Sequence, residues 1–331
     1  MNKANKTVVS VLMPAYNHGK YIACAIESFL AQKGEAAECS ELLIGNDAST
    51  DNTLEIASKY ALMYPQKIKL FSHSVNKGLI ANYEFLIDKA CGRYIAILES
   101  DDYYTDPFKL QRQTDILDTH SNCGLVYASG NFVNENGIVK GIKREKEGMR
   151  YCNEGLYESV LLSNPVLAVT ACFRRSVFEK CCNMADFVKN RFVTFDYPVW
   201  IALASASDFY VMEEVTAAYR VSGASISNNS NYEKQEEFQF GIDSIVEYSV
   251  NKFGYGNGKG AARLSAPILK NERTVKHMLL ALAFCKFERY SYFCRQIIPT
   301  AGFKWMIIRY FPWLFRFKKR KITGSSSITK L

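Results

Sequence analysis

The chain has 331 residues, of which 48% are hydrophobic, 22% charged and 13% aromatic, with a formal net charge of +8. At roughly 100 to 200 residues per domain this allows two domains or one enlarged catalytic domain with an appendage, and the composition excludes a disordered or collagen-like chain. The ten cysteines form no C-x-x-C pair and the four histidines stand far apart, so neither a disulfide framework nor a His/Cys metal cluster can be read.

The first seven residues carry lysines, but the apolar run behind them, residues 8–13 (VVSVLM), stops at Pro14 and is too short for a secretory signal. It predicts a buried strand. A helix at 21–32 follows, then a strand at 41–45 (ELLIG), a helix at 51–64, a strand at 68–72, a helix at 79–89 closed by Gly92, and a strand at 94–98 (YIAIL). Strands apolar on both faces, alternating with amphipathic helices, predict an α/β fold with a mostly parallel central sheet and helices on both faces. Such a sheet binds ligands beyond the carboxyl ends of its strands. After a helix at 109–119 and a strand at 124–129, the Gly- and Lys-rich stretch 134–150 reads as a mobile loop. A helix at 155–163, a strand at 169–174, a helix at 197–205 and strands at 209–212 and 215–219 come next. The Ser/Asn-rich stretch 222–230 closes this body. Beyond it lie long helical patterns at 232–252 and 266–296, separated by a Gly-rich linker at 254–260. No stretch reaches the ~18 apolar residues of a spanning helix, so a cytoplasmic location is expected.

Ten of the 41 basic residues and none of the 33 acidic ones lie from Arg289 onward, which leaves the body near −2 and the tail at +10. Residues 302–321 add Phe303, Trp305, Phe311, Trp313 and Phe315 to that charge. A basic segment rich in Trp and Phe predicts peripheral attachment to an anionic membrane surface, although a helix packed on the body with a solvated basic end fits the same residues. No recognition motif supports nucleic-acid binding.

Polar clusters follow three of the predicted strands: Pro14-Ala15-Tyr16-Asn17, Asn46-Asp47-Ala48-Ser49-Thr50-Asp51 and Glu99-Ser100-Asp101-Asp102. Three carboxylates at the mouth of a buried strand are costly unless compensated. Hard oxygen ligands of this kind suit Mg²⁺ or Mn²⁺, which complete their coordination on substrate phosphates. The triplet alone also fits a solvated acidic turn. Capping of the next helix accounts for Ser49, Thr50 and Asp51. Asp47 fits either a turn or an acceptor for a nucleobase N–H. Neither a P-loop nor a G-x-G-x-x-G run is present.

The strings VSVLMPAYNHGKYIACAIESFLAQ, ELLIGNDASTDNT and NKGLIANYEFLIDKACGRYIAILESDDYYTDPFKLQRQ resemble the family 2 glycosyltransferases with the GT-A fold. The resemblance spans roughly residues 7–227. It implies a catalytic domain at 1–230, with a donor-binding half at about 7–130 and an acceptor half at about 131–230, followed by a helical C-terminal region at 231–331. It implies that Pro14, Ala15, Tyr16, Asn17 and Asp47 hold the base and ribose of a nucleotide-sugar. Asn76, Lys77, Gly78 and Asn82 would lie over the same site. Glu99, Ser100 and Asp101 match the family's D-x-D motif. Asp101 and Asp102 would be the metal ligands, and Glu99 replaces the first Asp on the donor side. Phe195-Asp196-Tyr197-Pro198-Val199-Trp200, with Tyr219-Arg220 after it, resembles the acceptor half and makes Asp196 the catalytic base. Asp196 also reads as a helix N-cap with Pro198 in the first turn. Many relatives carry a His two residues after the Tyr-Arg pair, where this chain has Ser222.

The activity implied is inverting transfer from a nucleoside-diphosphate sugar, a UDP-sugar foremost, to a hydroxyl of a saccharide or lipid-linked saccharide in bacterial surface polysaccharide synthesis. The protein would then sit on the inner face of the cell membrane. Two other readings compete. A nucleotidyltransferase making nucleotide-sugars needs a Gly-rich, Arg/Lys-bearing loop where residues 14–17 stand. A non-catalytic nucleotide-sugar-binding scaffold has Glu99 and Ser222 in its favour.

Overall fold

The computed structural model describes residues 7–221, 230–256, 264–299 and 304–305. Ser222 with most of 222–230, part of the 254–260 linker and all of 302–321 except Lys304 and Trp305 lie outside the described residues. The chain divides into two compact units, Met1–Val221 and Ser222–Leu331.

In the first unit, β1 (Val9–Ala15) is buried at every residue, because a V-S-V-L-M run needs cover on both faces. It pairs in parallel with β2 (Ser40–Asn46), which pairs in turn with β3 (Ile68–Ser72), and on its other side with β4 (Tyr94–Ile97). The crossovers are α1 (Ile22–Leu30) with the short α2 (Glu35–Glu38), then α3 (Thr53–Met63), then α4 (Leu79–Lys89). Burial of Ile22, Ala25, Ile26 and Phe29 shows the helical stripe of α1 turned to the core. One polar knot interrupts this core. Ser10 donates to Glu41 at 2.6 Å and accepts from the Gly92 N–H at 2.8 Å, while Glu41 also takes Lys69 Nζ at 2.7 Å. A Cβ at Gly92 would stand 2.4 Å from the Ser10 nitrogen, so only glycine fits between α4 and β4 there.

Past β4 the sheet continues through β9 (Cys172–Arg174), β6 (Cys123–Val133), β10 (Asp208–Arg220) and β5 (Tyr103–Tyr104), in the order β3-β2-β1-β4-β9-β6-β10-β5. After β5 (Tyr103–Tyr104) and α5 (Lys109–Thr119) comes β6 (Cys123–Val133). It is joined at its outer end by β7 (Val139–Lys143), and β8 (Gly148–Arg150) pairs elsewhere, with β10. α6 (Leu156–Leu162), β9 (Cys172–Arg174), α7 (Arg175–Cys181), α8 (Met184–Lys189), α9 (Asp196–Ala206) and β10 (Asp208–Arg220) complete the unit. The long pairings, β6 with β10 among them, are parallel; the short β9 is antiparallel to both β4 and β6. Residues 197–204 of α9 are all buried, as a Y-P-V-W-I-A-L-A helix without a polar face requires.

Four expectations change. The stretch 134–150 read as a mobile loop forms β7, a largely exposed strand with two lysines, and the three-residue β8, whose Met149 packs against the core. Only the end of 169–174 is strand, since residues 168–170 make a 3₁₀ turn. The two strands at 209–219 are one, β10, with its register shifted between Met212 and Val215. The helix expected at 266–296 is broken into α11 and α12, described next.

The second unit contains α10 (Tyr232–Phe253), α11 (Ala266–Ala283) and α12 (Phe287–Gln296). Cys285 takes a left-handed conformation, φ +56°, and ends α11. The Lys286 N–H reaches the Ala281 carbonyl at 2.8 Å and the Cys285 N–H that of Leu282 at 3.2 Å, a Schellman closure built without the usual glycine. Trp305 is buried with Met278, Tyr290 and Phe293. It is therefore withdrawn from the membrane-facing set proposed for residues 302–321, and Lys304 is paired with Glu272 at 2.9 Å. Among the described residues no helix is long and apolar enough to cross a membrane.

Candidate active site

The parallel register sets Ala15 beside Asn46 and Leu12 beside Ile97, so the segments after β1, β2 and β4 emerge at one sheet edge. The first two are laced together. Asn17, at φ +55°, gives its N–H to Ser49 Oγ at 3.0 Å and accepts the Thr50 N–H on Oδ1 at 2.8 Å. Asp51 accepts the Gly19 N–H at 2.9 Å and the Thr53 N–H at 3.0 Å, so it binds the loop and the first turn of α3 together. Pro14 and Ala15 are the buried end of β1, whereas the Tyr16 ring is 47% exposed at the rim.

Asp47 is buried and meets the predicted upper loop directly. Its Oδ1 accepts the Lys77 N–H at 2.8 Å and its Oδ2 the Gly78 N–H at 2.9 Å, while Asn76 Nδ2 reaches its carbonyl at 3.2 Å. The carboxylate expected at the base thus organises the loop expected over the base. Asn82 does not share this place. It is 1% exposed, donates to the Gly45 carbonyl at 2.7 Å and faces His73 Nε2 at 3.3 Å, so it ties α4 to β2. Ser100 is likewise fully buried: its hydroxyl donates to the Pro14 carbonyl at 3.0 Å and therefore accepts from His18 Nδ1 at 2.7 Å. Its only proton is spent on Pro14, which assigns the Nδ1–H form to His18. Ser100, expected within the donor-side acidic motif, thus braces the β1 loop from beneath.

Glu99, Asp101 and Asp102 bring one carboxylate oxygen each within 4.8 Å of the others. Burial, then the charges of Asp101 and Asp196, push Glu99 up to about 8. Burial, then the charges of Asp101 and Glu99, raise Asp102 as well. Arg220 holds the loop from β10: its N–H donates to Asp102 Oδ1 and its Nε to the Asp101 carbonyl, both at 2.7 Å, with its guanidinium over Tyr21 at 4.4 Å. Asp102 Oδ2 is buried without a hydrogen-bond partner. An orphaned carboxylate oxygen beside two further carboxylates fits a hard divalent cation.

Asp196 is the first residue of α9, one past the N-cap position, which Phe195 occupies. It accepts from Asn164 Nδ2 at 2.9 Å and from the Thr194 hydroxyl. Its carboxylate is thus oriented by side chains, and its charge reaches Glu99. Sequence reasoning missed Tyr83, whose buried hydroxyl donates to Glu99 at 3.3 Å. The position reads as one more apolar residue on the inner stripe of α4, and nothing in that stripe marks the hydroxyl.

A family profile described as glycosyl transferase family 2 matches residues 10–181. The chain is 28% identical over 212 residues to the uncharacterized protein Rv1520 of Mycobacterium tuberculosis, a match covering 64% of this chain and 58% of that one. The match thus spans little more than half of that relative's length. S. aureus TarS 1-349 in complex with UDP-GlcNAc superposes with a TM-score of 0.60 at 16% identity, covering 88% of this chain and 82% of that one. The mannosyltransferase PcManGT from Pyrobaculum calidifontis in complex with GDP-Man and Mn²⁺ gives 0.54 at 13% identity, covering 96% and 82%. These two likenesses establish the fold, the GT-A arrangement of a mixed sheet with flanking helices. With the profile matched across half of the chain, the chain belongs to glycosyl transferase family 2.

Proposed function

We propose that the protein is an inverting glycosyltransferase that moves a sugar from a nucleoside-diphosphate sugar, a UDP-sugar foremost, to a hydroxyl of a saccharide or lipid-linked saccharide acceptor. The observation that carries this reading is the pairing of two kinds of carboxylate: a cluster of three with an orphaned oxygen, and a separate Asp196 on another element whose charge reaches the cluster. TarS with UDP-GlcNAc and PcManGT with GDP-Man and Mn²⁺ support a nucleotide-sugar donor and a divalent cation.

The base and ribose would rest between the 14–17 segment, where Tyr16 offers an exposed ring, and the 76–78 loop held by Asp47. Asp101 and Asp102 would hold Mg²⁺ or Mn²⁺, with Glu99 beside them. A cation bound there supplies positive charge opposite the departing nucleoside diphosphate. Asp196, kept in orientation by Asn164 and Thr194, accepts the proton of the acceptor hydroxyl as that oxygen attacks the anomeric carbon from the face opposite the leaving group. Such attack inverts the centre, and a general base contributes on the order of 10² to 10⁴ in rate.

A lipid-linked acceptor would accord with the basic aromatic sequence after Trp305, which we assign to an anionic membrane surface and to surface polysaccharide synthesis. Co-sedimentation with anionic vesicles at low salt tests that assignment. The transfer reaction is tested by offering the purified protein a panel of nucleotide-sugars with Mg²⁺ or Mn²⁺ and measuring nucleoside diphosphate release. Release from one donor, dependent on the metal, is expected. Donor binding without release, with either metal and any acceptor, would leave the scaffold reading in its place.

A further inference from the structure

The helical unit holds a second polar cluster that sugar transfer does not use. Asp243 on α10 joins two residues one turn apart on α11, accepting Arg273 Nε on Oδ1 at 2.6 Å and His277 Nε2 on Oδ2 at 2.7 Å. Phe240 and Phe293 flank the imidazole with ring centroids at 4.4 and 4.7 Å, which fixes its plane. The side chains of Arg273 and His277 are only 7% and 4% exposed.

The bond to Asp243 uses one of the five N–H groups of the guanidinium. Arg273 Nη1, Arg273 Nη2 and His277 Nδ1 are all buried without a hydrogen-bond partner. Folded proteins rarely leave such groups unmatched, and three on one helix face point to a missing partner. The charge balance says which sign it has. Asp243 offsets one cation, and its carboxyl stays low: burial works against ionisation, but the bonds from His277 and Arg273 outweigh it. Lys276 on the same helix adds another positive charge, pressed down to about 8 by burial and then by Arg273.

The hydrogen-bond pattern narrows the chemistry further. A guanidinium engaged through Nε still presents its Nη1 and Nη2 groups as a fork that matches two oxygens of an oxyanion. His277 gives its Nε2 proton to Asp243, so in the neutral ring Nδ1 is an acceptor and asks for a proton from the partner. A carboxylate fills the fork but brings no proton. A hydrogen phosphate or a phosphate monoester in its monoanionic form brings both.

We propose that Arg273 and His277, positioned by Asp243, form a binding site for phosphate carrying a free P–OH, either inorganic phosphate or a monoester. The site lies wholly in the helical unit and is independent of the donor chemistry.

The test uses full-length protein labelled with ¹⁵N-histidine, in which His277 is one of four histidines and is identified by the signal lost in His277→Gln. Inorganic phosphate is titrated against chloride at matched ionic strength. A saturable shift of the His277 signal with phosphate alone is expected, weakened about tenfold or more in Arg273→Met and in Arg273→Lys, which keeps the charge but loses the fork. Unchanged signals from His18, His73 and His120 confirm that a variant is folded. Methyl phosphate reproducing the shift assigns the site to monoesters, and its failure confines the site to free phosphate. Three results would overturn the proposal: no phosphate-specific shift at His277, which means a buried water fills the place; an equal shift in both folded Arg273 variants; or equal binding of dimethyl phosphate, which has no P–OH to give.

Discussion

Phe195 stacks face to face on Tyr83, with ring centroids 3.9 Å apart and planes 12° from parallel. Each ring stands next to a carboxylate: Phe195 precedes Asp196 at the start of α9, and the Tyr83 hydroxyl donates to Glu99. An aromatic brace therefore connects α4, which follows the 76–78 loop held by Asp47, to the helix that carries the proposed base. Two buried rings, rather than a flexible loop, thus link the residue before Asp196 to the hydroxyl that reaches Glu99.

Tyr83→Phe keeps that stack and deletes one hydrogen bond to Glu99. Stability should change by no more than about 1 kcal/mol, while turnover falls several-fold with donor affinity close to wild type. Comparing kcat with KM for the donor, alongside a urea melt, checks this. Wild-type turnover would reduce the hydroxyl to a space-filling role.

Asp101→Ala removes a carboxylate whose charge raises both Glu99 and Asp102. The fold should be as stable as wild type or slightly more so, whereas donor turnover should be lost, as it should be for the wild type in excess chelator. Nucleoside diphosphate release and a thermal melt read the two effects separately. Activity persisting in either case excludes the metal reading.

Asp196→Asn preserves the shape of the group that Asn164 and Thr194 orient but lacks the basicity. Turnover should drop by about 10² or more with donor binding retained. If the rate is unchanged, the proton goes elsewhere and Asp196 serves only to hold the 164–196 contact.

Glu41 predicts a pH dependence unrelated to activity. Burial opposes its ionisation, but hydrogen bonds from Lys69, Ser10 and the Cys91 N–H hold its carboxyl below the ordinary value of 4.5. A depressed folded value means that its stabilisation is full above 4.5 and is lost as the pH falls through the lower folded value. Glu41→Gln should cost about 1–3 kcal/mol at neutral pH. The gap between the two urea midpoints should narrow under strongly acidic conditions, and a gap that stays constant with pH would contradict the assignment.

The N-terminal half was legible because its signals are local. Residues 8–13, 41–45 and 94–98 are apolar on both faces, and each ends in a polar cluster, so the strands and the edge they share could be read together. The strands in 134–150 were not legible, since β7 is largely exposed and β8 is three residues long, and their pairing with β6 and β10 is a long-range choice. The break at Cys285 was hidden because a left-handed residue other than glycine leaves no mark in the chain.

Sequence by itself determined the family, the parallel N-terminal half and the acidic motif, because hydrophobic period and motif spacing are properties of neighbouring residues. Only the tertiary structure decided what those residues do to one another. Asn82 and Ser100 sit inside the motif region yet spend their hydrogen bonds on Gly45, Pro14 and His18, and Asp47 spends both oxygens on the 76–78 backbone. The same holds for Arg273 and His277, which in the chain are two unremarked polar residues at helical spacing. Their unmatched nitrogens exist only because α11 buries them beside Asp243 and Phe293. Hydrogen-bond satisfaction and charge repulsion depend on distances between residues far apart in the chain, and those distances are set by packing rather than by sequence order.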